Sequence, residues 1–135
     1  MLLAIDVGRK KSGIAVGNTL TASARPLTTV RGGRSSQLTA IGELIRQWQP
    51  QQIIVGLPRH MDDTEHSMTT YCRDFARRLQ EQVNLPVAFA DERLTTQIVA
   101  HHADTDSAAA SVILQSWLDA QARKEIANRH FMAIL

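Results

Sequence analysis

The sequence predicts an α/β fold: a mixed sheet, antiparallel at first and then parallel, with helices on both faces. Three observations carry this. Apolar runs of strand length open the chain with only short turns between them. Strand-like and helix-like segments then alternate, as parallel β-α-β connections require. No linker, repeat or low-complexity stretch interrupts the 135 residues, which fit one domain spanning 1–135.

Residues 2–7 read as a buried strand and residues 12–18, SGIAVGN, as a second, joined by a turn containing Gly8, Arg9 and Lys10. Residues 23–30, SARPLTTV, complete an antiparallel meander, and Pro26 assigns that strand to a sheet edge or a bulge. RGGRSS is a connection whose Ser35 or Ser36 is placed to cap a helix. Leu38, Ile41, Leu44, Ile45 and Trp48 follow the helical period, which stops before Pro50. Residues 52–57, QIIVGL, read as a buried parallel strand, Pro58 to Glu65 as a polar loop, and 66–82 as a second helix. Residues 85–91, LPVAFAD, form the fifth strand. Thr95 or Thr96 caps a short helix ending near His102, and Asp106 opens and caps a last helix to about Ala127. Its apolar face is expected to hold Ala109, Val112, Ile113, Trp117 and Ala120, and the apolar tail NRHFMAIL to pack back on the core or on a partner.

Acidic residues stand at three rigid places in this scheme. Asp6 ends the first strand, Glu92 lies just past the fifth, and Asp106 starts the last helix. Carboxylates that converge repel one another unless a cation sits among them, and hard cations such as Mg²⁺ take oxygen ligands. The pattern therefore points to metal-dependent phosphoryl chemistry. Asp91 and Glu92 cannot both face the same way in an extended chain, and Glu92 is taken as the inward one. The simpler roles are a paired acid at a strand end for Asp6, a local Glu–Arg pair for Glu92 and Arg93, and a helix cap for Asp106.

Formal net charge is only +2, but the cations are grouped. Arg9, Lys10 and Lys11 follow Asp6 directly. Arg25, Arg31, Arg34 and Arg59 lie in or near loops, and Arg73, Arg77 and Arg78 recur at helical spacing. Cations around an acidic centre suit an anionic polymer held by its phosphates. Aromatic residues make up 4% of the chain, too few for a base-stacking platform. There is no Walker loop, GxSxG or HExxH, adjacent His101 and His102 do not share a helix face, and Asp62, Asp63 and Glu65 lack the spacing of a calcium loop. No run of about 18 apolar residues occurs, so no membrane partner is expected. The N-terminus puts its apolar run before its charges, the reverse of a signal peptide, and the lone Cys72 suits a reducing cytoplasm as a packed thiol.

The motifs Asp6-Val7-Gly8-x-Lys10-x-x-Gly13-Ile14-Ala15-Val16, Ala24-Arg25-Pro26-Leu27, Val55-Gly56-Leu57-Pro58, Met61-Asp62-x-Thr64-Glu65, Asp91-Glu92-Arg93-Leu94-Thr95-Thr96 and Asp106-Ser107-x-Ala109-Ala110 occur in order. Together they cover nearly the whole chain. The sequence resembles the YqgF-type family of Holliday-junction resolvases, also described as pre-16S ribosomal RNA processing nucleases. The resemblance implies a ribonuclease-H-like fold with a five-stranded mixed sheet. It implies hydrolysis of phosphodiesters with Mg²⁺ or Mn²⁺ held by Asp6, Glu92 and Asp106, and a partner that is an rRNA precursor or branched DNA. Lys10 and Arg93, with Arg9 and Arg59, are the candidate substrate-binding cations. A resolvase would be expected as a homodimer and an rRNA nuclease as a monomer. Two departures bear on substrate grip more than on fold. Asp63 stands where the family loop has glycine, and the Glu92–Asp106 connection, QIVAHHADT, is short and has no lysine. The competing readings are a non-catalytic nucleic-acid- or protein-binding module and an ATP-binding lobe of actin–hexokinase type.

Overall fold

The computed structural model describes residues 1–58, 66–91 and 105–134. Among them the elements are β1 (Leu2–Asp6), β2 (Lys11–Asn18), β3 (Ser23–Arg31), α1 (Arg34–Trp48), β4 (Gln52–Leu57), α2 (His66–Val83), β5 (Val87–Asp91) and α3 (Thr105–Ile134). The sheet order is β3-β2-β1-β4-β5. β1 pairs antiparallel with β2 and β2 with β3, whereas β4 runs parallel to both β1 and β5. This is the mixed five-stranded sheet the sequence predicts, with β1 at its centre.

Period-two alternation divides the sheet into two faces. Leu3, Ile5, Ile14, Ile53, Val55 and Leu57 face Ile41, Ile45, Phe75 and Leu79 of α1 and α2. Leu2, Ala4, Ala15 and Ile54 face Ala110, Ile113, Leu114 and Leu118 of α3. Cys72 is buried in the first of these layers, as expected of a packed thiol. No helix among the described residues is long and apolar enough to cross a membrane.

Pro26 sits where its ring costs least. β3 is an edge strand, and the register slips between Ile14 and Ala15, whose partners are Thr28 and Pro26. α1 closes on Gln49 in the left-handed conformation, with its N–H donating to Ile45 O at 2.8 Å, immediately before Pro50.

Three sequence expectations change. The cap of α1 is Gly33 with no side-chain bond, so neither Ser35 nor Ser36 caps it. The helix is instead tied down by buried Gln37, whose Nε2 donates to Gly32 O at 2.9 Å. On α3 the buried seam is Ala110, Leu114 and Leu118 with Ile113, while Ala109, Val112, Trp117 and Ala120 are only partly buried. Closest approach sets that seam: Leu114 packs over Gly17 of β2, so the small-residue strand, not the bulkiest side chains of the helix, decides its rotation. Finally, α3 starts at Thr105 and continues to Ile134, so Asp106 lies in its first turn and not at its cap, and the apolar tail extends the helix. The helix expected near 95–102 lies outside the described residues.

Candidate active site

Asp6 is the last residue of β1, half-buried, and two positions on from Ala4. Alternation therefore places it on the α3 face. Its cross-strand partner is Gly13. A Cβ built on Gly13 would fall 1.8 Å from the backbone oxygen of Asp106 and 2.1 Å from its carbonyl carbon. The first turn of α3 thus rests directly on the residue opposite Asp6. Only glycine allows that approach, and it brings an acid of the first strand and an acid of the last helix to one corner of the sheet.

Lys11 completes the corner. Two residues before Gly13, it occupies the same face of β2, and its Nζ lies 3.0 Å from Asp106 Oδ2. Its side chain is about half exposed and that of Asp106 about a quarter, at 48% and 26%. The pair is therefore reachable by solvent and by ions.

The turn between β1 and β2 is fastened from the opposite layer. Gly8 N–H donates to Ser12 Oγ at 3.0 Å, and Ser12 Oγ donates to Gln37 Oε1. Gln37 Nε2 donates to Gly8 O at 3.0 Å, and Lys10 O accepts from Gly32 N–H at 2.9 Å. Ser12 and Gln37 are both fully buried, so their bonds are sheltered from competition by water. Gly8 is needed sterically: a Cβ there would stand 2.2 Å from the carbonyl oxygen of Lys11. The guanidinium of Arg9 lies over the Tyr71 ring of α2, 4.6 Å from its centroid, while Lys10 is exposed.

The C-terminal ends of β1, β4 and β5 share one sheet edge, because the three strands run parallel. Ala88 and Ala90 of β5 pack on the α3 side, the face of Asp6. Asp91, partner of Leu57, is the last described residue before Glu92. Glu92, Arg93 and Arg59 lie outside the described residues, as do Asp63 and the short connection to Asp106. Among the described residues no three His, Cys, Asp or Glu side chains form a metal-binding group.

Of the residues singled out in the sequence, Asp6 lies across from Gly13, the residue on which the backbone of Asp106 rests, and Arg9 and Lys10 lie in the turn that follows Asp6. Lys11, the third member of that basic run, pairs with Asp106. Its signal was parity: Lys11 and Gly13 alternate onto one face once β2 begins at Lys11. Gln37 and Ser12 gave no such signal, since polar residues in a sequence read as surface.

Residues 1–120 match the family model RuvX, described as Holliday junction resolvase. The chain belongs to this family. Its curated relatives include a "Putative pre-16S rRNA nuclease" of Dechloromonas aromatica, 43% identical over 131 residues, covering 87% of this chain and 90% of that one. Another of the same name, from Bordetella petrii, is 45% identical over 124 residues, covering 88% and 95%. Among solved structures, T. thermophilus RuvC in complex with a Holliday junction substrate superposes with a TM-score of 0.62 at 12% identity, covering 90% of this chain and 96% of that one. The fowlpox virus resolvase gives 0.52 at 11% identity, covering 89% and 97%. At these identities the structural likeness establishes the ribonuclease-H-like fold. For this RuvX family member, the family and the curated relatives agree on a nuclease, a hydrolase whose substrate is nucleic acid.

Proposed function

We propose that this chain cuts structured RNA at the Asp6–Asp106 corner, with an rRNA precursor as substrate, using Mg²⁺ or Mn²⁺ held by Asp6, Asp106 and Glu92. The observation that carries the reading is the contact of the Asp106 backbone on Gly13, the cross-strand partner of Asp6, which supports a shared corner for carboxylates from opposite ends of the chain. Their oxygen atoms are the donors a hard divalent ion takes. Glu92, which lies outside the described residues, is included on the family resemblance; it directly follows Asp91, the last residue of β5.

A divalent ion bound there supplies Lewis-acid polarisation of the scissile phosphate and offsets charge developing on the leaving oxygen. The chain's own residues do the rest. Asp6, fixed between two paired strands, orients the reacting group. Asp106 reaches in from the first turn of α3, where negative charge complements the helix dipole. Lys11 offsets part of the repulsion between the carboxylates and is placed to meet a phosphate oxygen. Arg9 and Lys10 lie in the fastened turn, where they can hold flanking phosphates with little ordering cost.

The relatives' name favours the RNA substrate. The family description gives branched DNA a specific claim as the second reading. Single buried Cys72 accords with action in the reducing cytoplasm. The test is parallel cleavage of rRNA precursors, four-way junctions, flaps and single strands by wild type and Asp6→Asn, with Mg²⁺ or Mn²⁺. The expected result is cleavage lost and binding kept in the variant. Cleavage that survives Asp6→Asn would refute the site. Binding without cleavage by the wild type under either metal would favour the non-catalytic reading.

A further inference from the structure

We infer that a cluster of arginines on α1 and α2, joined to the catalytic turn through Tyr71, is the track along which the nucleic-acid backbone continues beyond the cleavage point; this rests on the nuclease reading above. Arg9, three residues after Asp6, and Arg34, the first residue of α1, share one ring: their guanidinium carbons lie 4.6 and 5.9 Å from the Tyr71 centroid. Arg34 Nη1 then donates to Asp74 Oδ2 at 2.7 Å. The same carboxylate accepts from Arg77 Nη2 at 2.7 Å and from Arg78 Nε at 2.9 Å. The path from the active-site turn to the middle of α2 is therefore continuous.

The charge along it is unbalanced. Arg9, Arg34, Arg77 and Arg78 meet Asp74 and Glu81, a surplus of two positive charges, equal to the formal net charge of the entire chain, +2. One carboxylate cannot saturate three guanidiniums, each of which carries five N–H donors. The arginine side chains stay open, with 37% of Arg34, 57% of Arg77 and 46% of Arg78 exposed. Their planar guanidinium forks can meet phosphate oxygens bidentately, which a lysine ammonium does not provide. Were the cluster only a clamp between α1 and α2, the Arg34–Asp74 bond would serve. Among the described residues Arg77 pairs only within its own helix and adds nothing to such a clamp.

The test is fluorescence anisotropy in EDTA with an rRNA-precursor hairpin and a four-way DNA junction over a salt series, beside cleavage and thermal melting. The variants are Arg9→Gln/Arg34→Gln, Arg77→Gln and Asp74→Asn. The double variant is expected to bind about tenfold or more weakly and to lose about 2 from the slope of log K against log salt, roughly 1 per phosphate contact. Arg77→Gln is expected to lose about 1 from the slope, with a smaller change in melting temperature than Asp74→Asn. Asp74→Asn, which removes a negative charge from the track, is expected to bind equally or more tightly. Unchanged slopes in both arginine variants of a protein that still binds and cuts would overturn the track and leave the nuclease reading standing. So would a loss of binding in Asp74→Asn equal to that of the double variant. Failure of the wild type to bind either substrate would overturn both.

Discussion

Gly13→Ala tests the contact on which the site depends. The new methyl would lie 1.8 Å from Asp106 O, 2.1 Å from Asp106 C and 2.7 Å from Ser107 N, all of them backbone atoms. Comfortable non-bonded separation is about 3.5 Å, so β2 and the first turn of α3 must part by roughly 1.5 Å. Neither side has a side chain that can turn aside. Overpacking of this kind costs about 1–3 kcal/mol of stability. A misplacement of about 1 Å at a catalytic group costs on the order of 100-fold in rate. Gly17→Ala is the matched control. It lies on the same strand under the same helix, but its methyl would meet the Leu114 side chain at 2.7 Å and approach backbone only at the Ser23 oxygen, 3.1 Å away and not on α3. It stands four residues, ~13 Å, from Gly13. The assay pairs kcat/KM for Mg²⁺-dependent cleavage with thermal melting. Gly13→Ala should fold, melt lower and cut about 100-fold more slowly. Gly17→Ala should melt lower but keep its rate to within about twofold. A folded Gly13→Ala protein cutting at the wild-type rate would show that the position of Asp106 does not matter to the chemistry. Equal rate losses in the two variants would show that the effect is general loosening.

The remaining predictions concern the ties around the site. Lys11→Met removes the cation 3.0 Å from Asp106; a half-exposed pair of this kind is worth about 1 kcal/mol, so Mn²⁺ should bind about fivefold more tightly by calorimetry, and an unchanged affinity would show that Lys11 does not compete for that carboxylate. Gln37→Leu removes the acceptor of the buried Ser12 hydroxyl, which keeps its bond from Gly8 N–H, and the amide donor to the Gly8 and Gly32 carbonyls, which should cost about 1–3 kcal/mol in urea unfolding; an unmoved midpoint would refute the role given to Gln37. The hydrogen bonds from Arg78 and then Arg77 hold the Asp74 carboxyl below its ordinary value of 3.8. A lowered folded-state value means stabilisation fully present above 3.8 and lost as pH falls through the folded value. Wild type and Asp74→Asn should therefore differ in melting temperature near neutrality and converge in strong acid, and a gap that persists at the lowest pH would contradict the assignment.

The succession of antiparallel and then parallel strands was legible because the first three strands have turns too short for anything but hairpins, and because later strands are separated by helices. Pro26 pointed to an edge strand or a bulge, and the structure has both. Asp6 and Asp106 were legible as charges at element ends. What joins them was not. Gly13 reads as an ordinary residue of an apolar strand, and its meaning appears only once α3 lies across it. Gln37 reads as a polar position near the start of a helix, yet it is fully buried and replaces the serine cap that local rules suggest. Both failures have one cause: local propensity describes a segment's own preferences, and these two residues are fixed by a partner more than twenty residues away.

That cause also accounts for the three consecutive cations Arg9, Lys10 and Lys11. In sequence they form one basic run. In the fold the turn lies between two layers, held to α1 by Gln37 and adjoining α3 through Gly13. Arg9 goes to Tyr71 on the α2 side, Lys11 to Asp106 on the α3 side, and Lys10 stays exposed between them. Under the proposals above, one turn sends charge to the arginine track, to the substrate and to Asp106. The three should therefore separate in experiment. Loss of Arg9 should fall on salt-dependent binding, and loss of Lys11 on metal affinity. Loss of Lys10 should fall on substrate KM with metal affinity unaltered. If instead all three substitutions gave one shared phenotype, the run would be acting as undirected positive charge, and the division of the turn between two layers would have no functional content.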